Sequence, residues 1–309
     1  MKSPMRTSVR IRPGLGLALT AAVVSGFSVY TNSYGVRAFG NASVYTTAKN
    51  AVAAIVLAAA LAVAGRRVKR EGFTPPRGVA EWGGLAAIAV VGGSVPFILF
   101  FEGLARVSSG DAAFIQKTLV VWVALLAVPL LGERVGLWHA VAIGGLVWGL
   151  ALLGGGVGGI RFGSGEVMIF AATLLWAVET IIAKRMLRGL SALTVATARM
   201  GGGGVILIGY TLATTRWATL AATGWHQWSW AIATGLILAA YVAIWYSALA
   251  RAGAIDVTAL LVPGAIITAL LQAGSKALVP QWPGLLLVMA GSALVLLLAG
   301  RKPWLAGVS

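Results

Sequence analysis

The chain has 309 residues, 59% of them hydrophobic and 10% charged, with a formal net charge of +16. A soluble domain is about a quarter charged, so this composition excludes a water-soluble globule and requires a bilayer as apolar solvent. Cysteine is absent, which excludes disulfides, thiolate metal sites and a cysteine nucleophile. The basic residues stand at the ends of apolar runs rather than on one soluble face, which argues against a nucleic-acid partner.

Stretches of about 20 mainly apolar residues, the length that crosses a bilayer, fall at 14–36, 43–65, 80–103, 109–130, 135–153, 163–184, 191–214, 227–250, 254–278 and 283–299. The fold expected is an all-α membrane protein of ten transmembrane helices. Residues 1–13 and 300–309 are read as cytoplasmic tails and 154–162 as a glycine-rich link. The basic start and first apolar run resemble a signal peptide. That run is too long and has a counterpart in the second half, so cleavage is not expected. Sixteen of the 24 Lys and Arg lie on the side that holds both ends in a ten-span topology, among them Arg66, Arg67, Arg134, Arg185 and Arg251. Arg37, Arg106, Arg161, Arg216 and Lys276 lie on the other side. The positive-inside rule therefore predicts that both ends are cytoplasmic.

An internal repeat divides the chain into five-helix units, 14–153 and 163–299. The run from Leu104 to Asp111 recurs from Leu249 to Asp256, with Leu, Ala, Arg and Asp matching at a constant offset. Each copy joins two apolar spans. A looser match sets Lys49 of the second span against Arg199 of the seventh. Five spans return the chain to the opposite side, so the second copy inserts upside down. Two inverted repeats with a midplane cavity between them are a transporter architecture.

Ionisable residues inside spans are costly and point to function. Those expected at depth are Lys49, Glu102, Lys117, Glu179 and Arg199. Glu179 and Arg199 each lie ten residues from the turn near Gly189, and Glu102 and Lys117 seven and eight residues from the turn near Ser109, so an ion pair is expected across each hairpin. Such pairs either fix helix register or take part in transport, by proton release or by holding a substrate carboxylate. A substrate cavity should be mostly apolar with a few polar groups. Its expected lining is Tyr30, Asn32, Tyr34, Phe97, Phe101, Gln116, Trp122, Trp176, Tyr241, Trp245 and Gln272. The aromatics among them could equally face lipid, and the amides could bond neighbouring helices. Trp82, Trp225, Trp228, Trp282 and Trp304 read as interfacial belt residues.

Leu130-Leu131-Gly132-Glu133-Arg134, followed by Gly144, Gly145 and Gly149, and Trp176-Ala177-Val178 leading to Lys184-Arg185, resemble elements of the ten-helix EamA-type exporters of the drug/metabolite transporter superfamily. Lys49 and Arg199 fall where that family often carries Arg. The departures are Leu119 at the family's usual mid-span proline, and Ala277-Leu278 in place of a "GE" after Pro263. The resemblance implies export of small metabolites, often amino acids, across the bacterial inner membrane. The aromatic content of spans 1, 3 and 8 points to aromatic or large neutral amino acids. Export of another metabolite or a drug-like compound is the alternative.

Other signals weigh little. Gly154, Gly156 and Gly159 fit G-x-G-x-x-G with no nucleotide-binding context, and the Gly201–Gly204 run reads as a packing groove or a hinge. Asn41-Ala42-Ser43 has no meaning in a bacterium. His139 and His226 read as interfacial, not as metal ligands. Neither a G-x-x-x-x-G-K-[ST] nucleotide loop nor the H-E-x-x-H or G-x-S-x-G motif of a hydrolase is present, so an enzyme is not expected. The polar residues are too sparse for a channel. No cofactor or metal is called for; the partners expected are a small molecule and the bilayer, and the oligomeric state is left open, a monomer being compatible with the sequence.

Overall fold

A computed structural model describes residues 13–67, 75–153, 163–214, 216–276 and 282–301, and these are almost wholly helical. The first unit comprises α1 (Pro13–Phe39), α2 (Ala42–Arg67), α3 (Val79–Val91), α4 (Val95–Leu104), α5 (Ser109–Lys117), α6 (Leu119–Leu131) and α7 (Leu137–Leu153). The second comprises α8 (Ser164–Met186), α9 (Ala192–Ala213), the short α10 (Trp217–Ala221), α11 (Trp225–Arg251), α12 (Ala254–Ala259), α13 (Gly264–Lys276) and α14 (Trp282–Arg301). Among the described residues, nine segments are long and apolar enough to cross a membrane, and α7 is a shorter apolar helix.

Three spans expected as continuous are broken, each for a local reason. In the third, Pro96 has no N–H to offer the carbonyl of Gly92, and the chain turns through Gly92–Ser94 between α3 and α4. In the fourth, Thr118 tightens the helix: its N–H and its hydroxyl both donate to the carbonyl of Ile115, at 3.1 and 2.7 Å. In the ninth, the residues from Leu260 to Pro263 form turns between α12 and α13. There the N–H of Val262 takes the carbonyl of Ala259 that Pro263 could not serve. Irregular backbone at membrane depth persists where it is enclosed by protein.

Small residues set the closest crossings, as expected where lipid gives no hydrophobic drive between helices. Gly26 meets Gly264 where α1 crosses α13, and Gly149 meets Gly284 where α7 crosses α14. Gly203 lies on the backbone of Gly93, where any side chain would collide. Within the Gly201–Gly204 run, Gly202 and Gly203 let Ala89 of α3 and Gly93 after it approach closely, while Gly201 has open space beside it, and α9 passes through the run unbroken. Gly145, one turn before Gly149, has open space beside it. The main packing partners are α1 with α11, α3 and α4 with α8, α2 with α9 and α11, α3 with α9, α6 with α8, α1 with α13, and α7 with α14.

Outward faces are apolar; Ile55, Val205 and Leu286 are each more than 60% exposed. Trp82, Trp225 and Trp282 are exposed near helix starts, as belt residues would be, whereas Trp228 is partly buried. Trp304, the glycine-rich link and the tails beyond Pro13 and Arg301 lie outside the described residues.

Candidate functional site

A cavity opens where the two units meet. Asn32, Lys49, Phe97, Phe101, Gln116, Lys117, Trp176, Glu179, Arg199, Tyr241 and Trp245 all line it. Both units contribute, chiefly through α1, α2, α4 and α5 from the first and α8, α9 and α11 from the second.

The break in the third span supplies an anchor for the site. The Gly92 carbonyl freed by Pro96 accepts from the Trp176 indole N–H and from Arg199 Nε, both at 3.1 Å. One missing backbone donor thus positions an aromatic and a cation on the cavity wall. Arg199 Nη1 also lies 4.0 Å from Glu179 Oε2, and Glu179 Oε1 accepts from the Tyr246 hydroxyl at 2.5 Å. Burial of this carboxylate therefore leaves both oxygens attended.

Among the described residues the other two cations have no carboxylate partner. Lys49 Nζ sits 3.9 Å from the centre of the Phe101 ring, within cation–π range, and donates to Asn32 Oδ1 at 3.4 Å. Asn32 is held in turn by Tyr45, whose hydroxyl lies 2.7 Å from Asn32 Oδ1 and 2.9 Å from Thr234 Oγ1. Lys117 Nζ donates to Ser25 Oγ at 2.6 Å and to Gln116 Oε1 at 3.4 Å. Phe97 stacks with Phe101 at 6.2 Å and meets Trp176 edge-on at 5.6 Å; across the cavity Tyr241 stacks with Trp245 at 6.3 Å.

The remaining expected residues lie elsewhere. Tyr30, Tyr34 and Gln272 line a second, wider cavity beside Arg37 and Arg106. Trp122 packs edge-on against Phe170 and does not line the central cavity. Glu102 does not pair with Lys117, contrary to the depth argument. It accepts from Ser43 at 2.7 Å and faces Arg106 and Arg216, at 3.1 and 3.6 Å, while Lys117 turns toward α1. Equal depth fixes position along the membrane normal only; rotation about each helix axis sends these two side chains to different neighbours. His139, in the first turn of α7, has its Nε2 3.6 Å from Asp256 Oδ1, both largely buried.

Sequence reasoning missed Ser25, Ser28 and Thr180 in the lining. Ser25, Ser28, Val29 and Asn32 follow i, i+3, i+4, i+7 spacing, one face of α1, so the stripe was readable. It was missed because single hydroxyls in a span also satisfy their own helix.

At the opposite end of the bundle from the second cavity, α12 begins with the repeated turn. Gly132, with φ of 69°, ends α6 in the left-handed region and turns Glu133 back, where its carboxylate accepts from the N–H groups of Ala254 and Ile255 at 2.6 and 3.0 Å. Lys184 Nζ donates to the carbonyls of Leu249 and Ala252, and Arg185 to that of Leu130. In the first copy of the turn Ser108 caps α5 itself, accepting from the Asp111 N–H at 3.1 Å.

A family model described as the EamA-like transporter family matches residues 12–155 and 163–297. A search among curated proteins returned no match. One crystal structure of another protein superposes with a TM-score of 0.72 over 94% of this chain and 100% of that one, at 16% identity, a likeness of fold alone.

Proposed function

Since the chain belongs to the EamA-like transporter family, and is thereby a multi-pass membrane transporter of small molecules rather than an enzyme, we propose that it is a secondary carrier. It exports small metabolites across the bacterial inner membrane by alternating access at the central cavity. Its substrates carry a carboxylate on an apolar body, the class that includes aromatic and large neutral amino acids. The observation that carries this reading is the cavity itself: aromatic walls, three buried cations and one carboxylate, contributed by both units.

The ten-span, inverted-repeat topology with cytoplasmic termini is part of the same reading. Packing supports it. If the units exchange roles, the contact of α1 with α11 becomes that of α8 with α3 and α4, α2 with α11 becomes α9 with α3, and α13 with α1 becomes α6 with α8. All of these contacts occur. The helix breaks support it as well: Thr118 and Pro263 stand at the same offset as the repeated turns.

The test is counterflow. Purified protein in liposomes preloaded with an unlabelled substrate should accumulate labelled phenylalanine or a related acid transiently and saturably, with and without a pH gradient. Linear, non-saturable flux would indicate a channel and reject the carrier; a chemically altered product would indicate an enzyme.

A further inference from the structure

The charges on the cavity wall do not balance, and the imbalance has a sign. Three cations face one carboxylate. Glu179 is engaged with Tyr246 and Arg199. Lys49 has an amide oxygen and aromatic faces around it, and Lys117 a hydroxyl and an amide oxygen. Among the described residues no carboxylate lies within ion-pair distance of either lysine. A buried ammonium without a counter-ion keeps a desolvation penalty that neutral partners offset only in part.

We propose, building on the carrier reading above, that the cavity selects a net-anionic organic acid, an aromatic or bulky apolar body bearing carboxylate and no ammonium group, over the corresponding zwitterion. A ligand carboxylate supplies the counter-ion the two lysines lack. The α-ammonium of an amino acid brings a further positive charge into a wall already in cationic excess, and would have to compete with Arg199 for Glu179. The apolar body stacks on Phe97, Phe101 or Trp176, and this contact does not depend on the amino group. The partners of the two lysines, Ser25 and Asn32, are seven residues apart on α1, about 10 Å along its axis, so a single carboxylate pairs with one ammonium and is attracted by the other across the low-dielectric cavity.

The experiment compares three ligands that share one benzyl body: 3-phenylpropanoate, phenylalanine and phenethylamine. Binding to the full chain in nanodiscs is read by calorimetry, and transport by counterflow in liposomes. The expected order is 3-phenylpropanoate tighter than phenylalanine by roughly tenfold, with no binding of phenethylamine. Lys49→Met and Lys117→Met, each checked for a monodisperse elution profile, should each weaken 3-phenylpropanoate by roughly tenfold or more; Lys→Gln replaces any Met variant that fails to fold. Equal or tighter binding of phenylalanine, binding of phenethylamine, no binding of any of the three, or unchanged affinity in the lysine variants would overturn the proposal. Saturable counterflow that favours phenylalanine would overturn it and leave the carrier standing. Specific binding of 3-phenylpropanoate without counterflow of any ligand would instead overturn the carrier.

Discussion

The Gly92 carbonyl shows how one residue organises a site. Pro96 withholds a backbone donor, and Trp176 and Arg199 take its place. Pro96→Ala would return an N–H to Gly92 and compete with both side chains. The expected result is unchanged or higher thermal stability with transport reduced about tenfold or more, read as melting temperature and counterflow on the same preparation. Glu179→Gln keeps an acceptor for the Tyr246 hydroxyl but removes the charge facing Arg199. The protein should fold with a wild-type elution profile and transport more slowly; wild-type flux at equal protein level would remove Glu179 from the mechanism. The Glu179–Arg199 pair was legible in the sequence because two side chains flanking a tight turn at equal depth also happen to face each other. Glu102 and Lys117 met the same depth criterion without sharing a face, and facing is set by packing that no single hairpin encodes.

At the level of elements, the two copies of the repeated turn solve one problem in two ways. A helix start leaves N–H groups unpaired. Ser108 satisfies the first copy from within, whereas Gly253 has no side chain, and Glu133 reaches in from the end of α6. Loss of a capping side chain costs about 0.5–2 kcal/mol, so Glu133→Ala should lower the melting temperature measurably. Gly253→Ser, at φ −58° and ψ 147°, should recover part of that loss in the Glu133→Ala background; no recovery would argue against a capping role. The helices themselves were legible from runs of apolar residues. Their breaks were partly legible: Gly-Gly-Ser-Val-Pro and Pro263 are punctuation in any sequence. Thr118 carries no such mark, since threonine is common within spans and tightens a helix only when its hydroxyl turns back on the carbonyl three residues earlier.

For the whole molecule, the absence of cysteine makes topology directly measurable. Ala222→Cys, in the segment between α10 and α11, should react with a membrane-impermeant maleimide in intact cells. Arg188→Cys, beside the turn between α8 and α9, should react only after permeabilisation; both positions are exposed. Reaction of both from the same side would remove the inverted arrangement. The all-helical membrane fold was the most legible level, because apolar runs of about 20 residues read as spans whatever the individual side chains do. The cavity was less so: α1 places Ser25 and Asn32 on it but Tyr30 and Tyr34 on the second cavity, a difference of helix rotation alone.

The Glu133 cap has a consequence for how evenly such a carrier alternates. Position 278, the counterpart of Glu133 in the second unit, is Leu, so only one of the two ends has a carboxylate latch available from the repeat. In the carrier proposed above, two orientations built from the same parts then differ in energy, and the unloaded protein should rest mostly in the latched one. Half-saturation measured from its two sides should differ, and Glu133→Ala should bring the two values together.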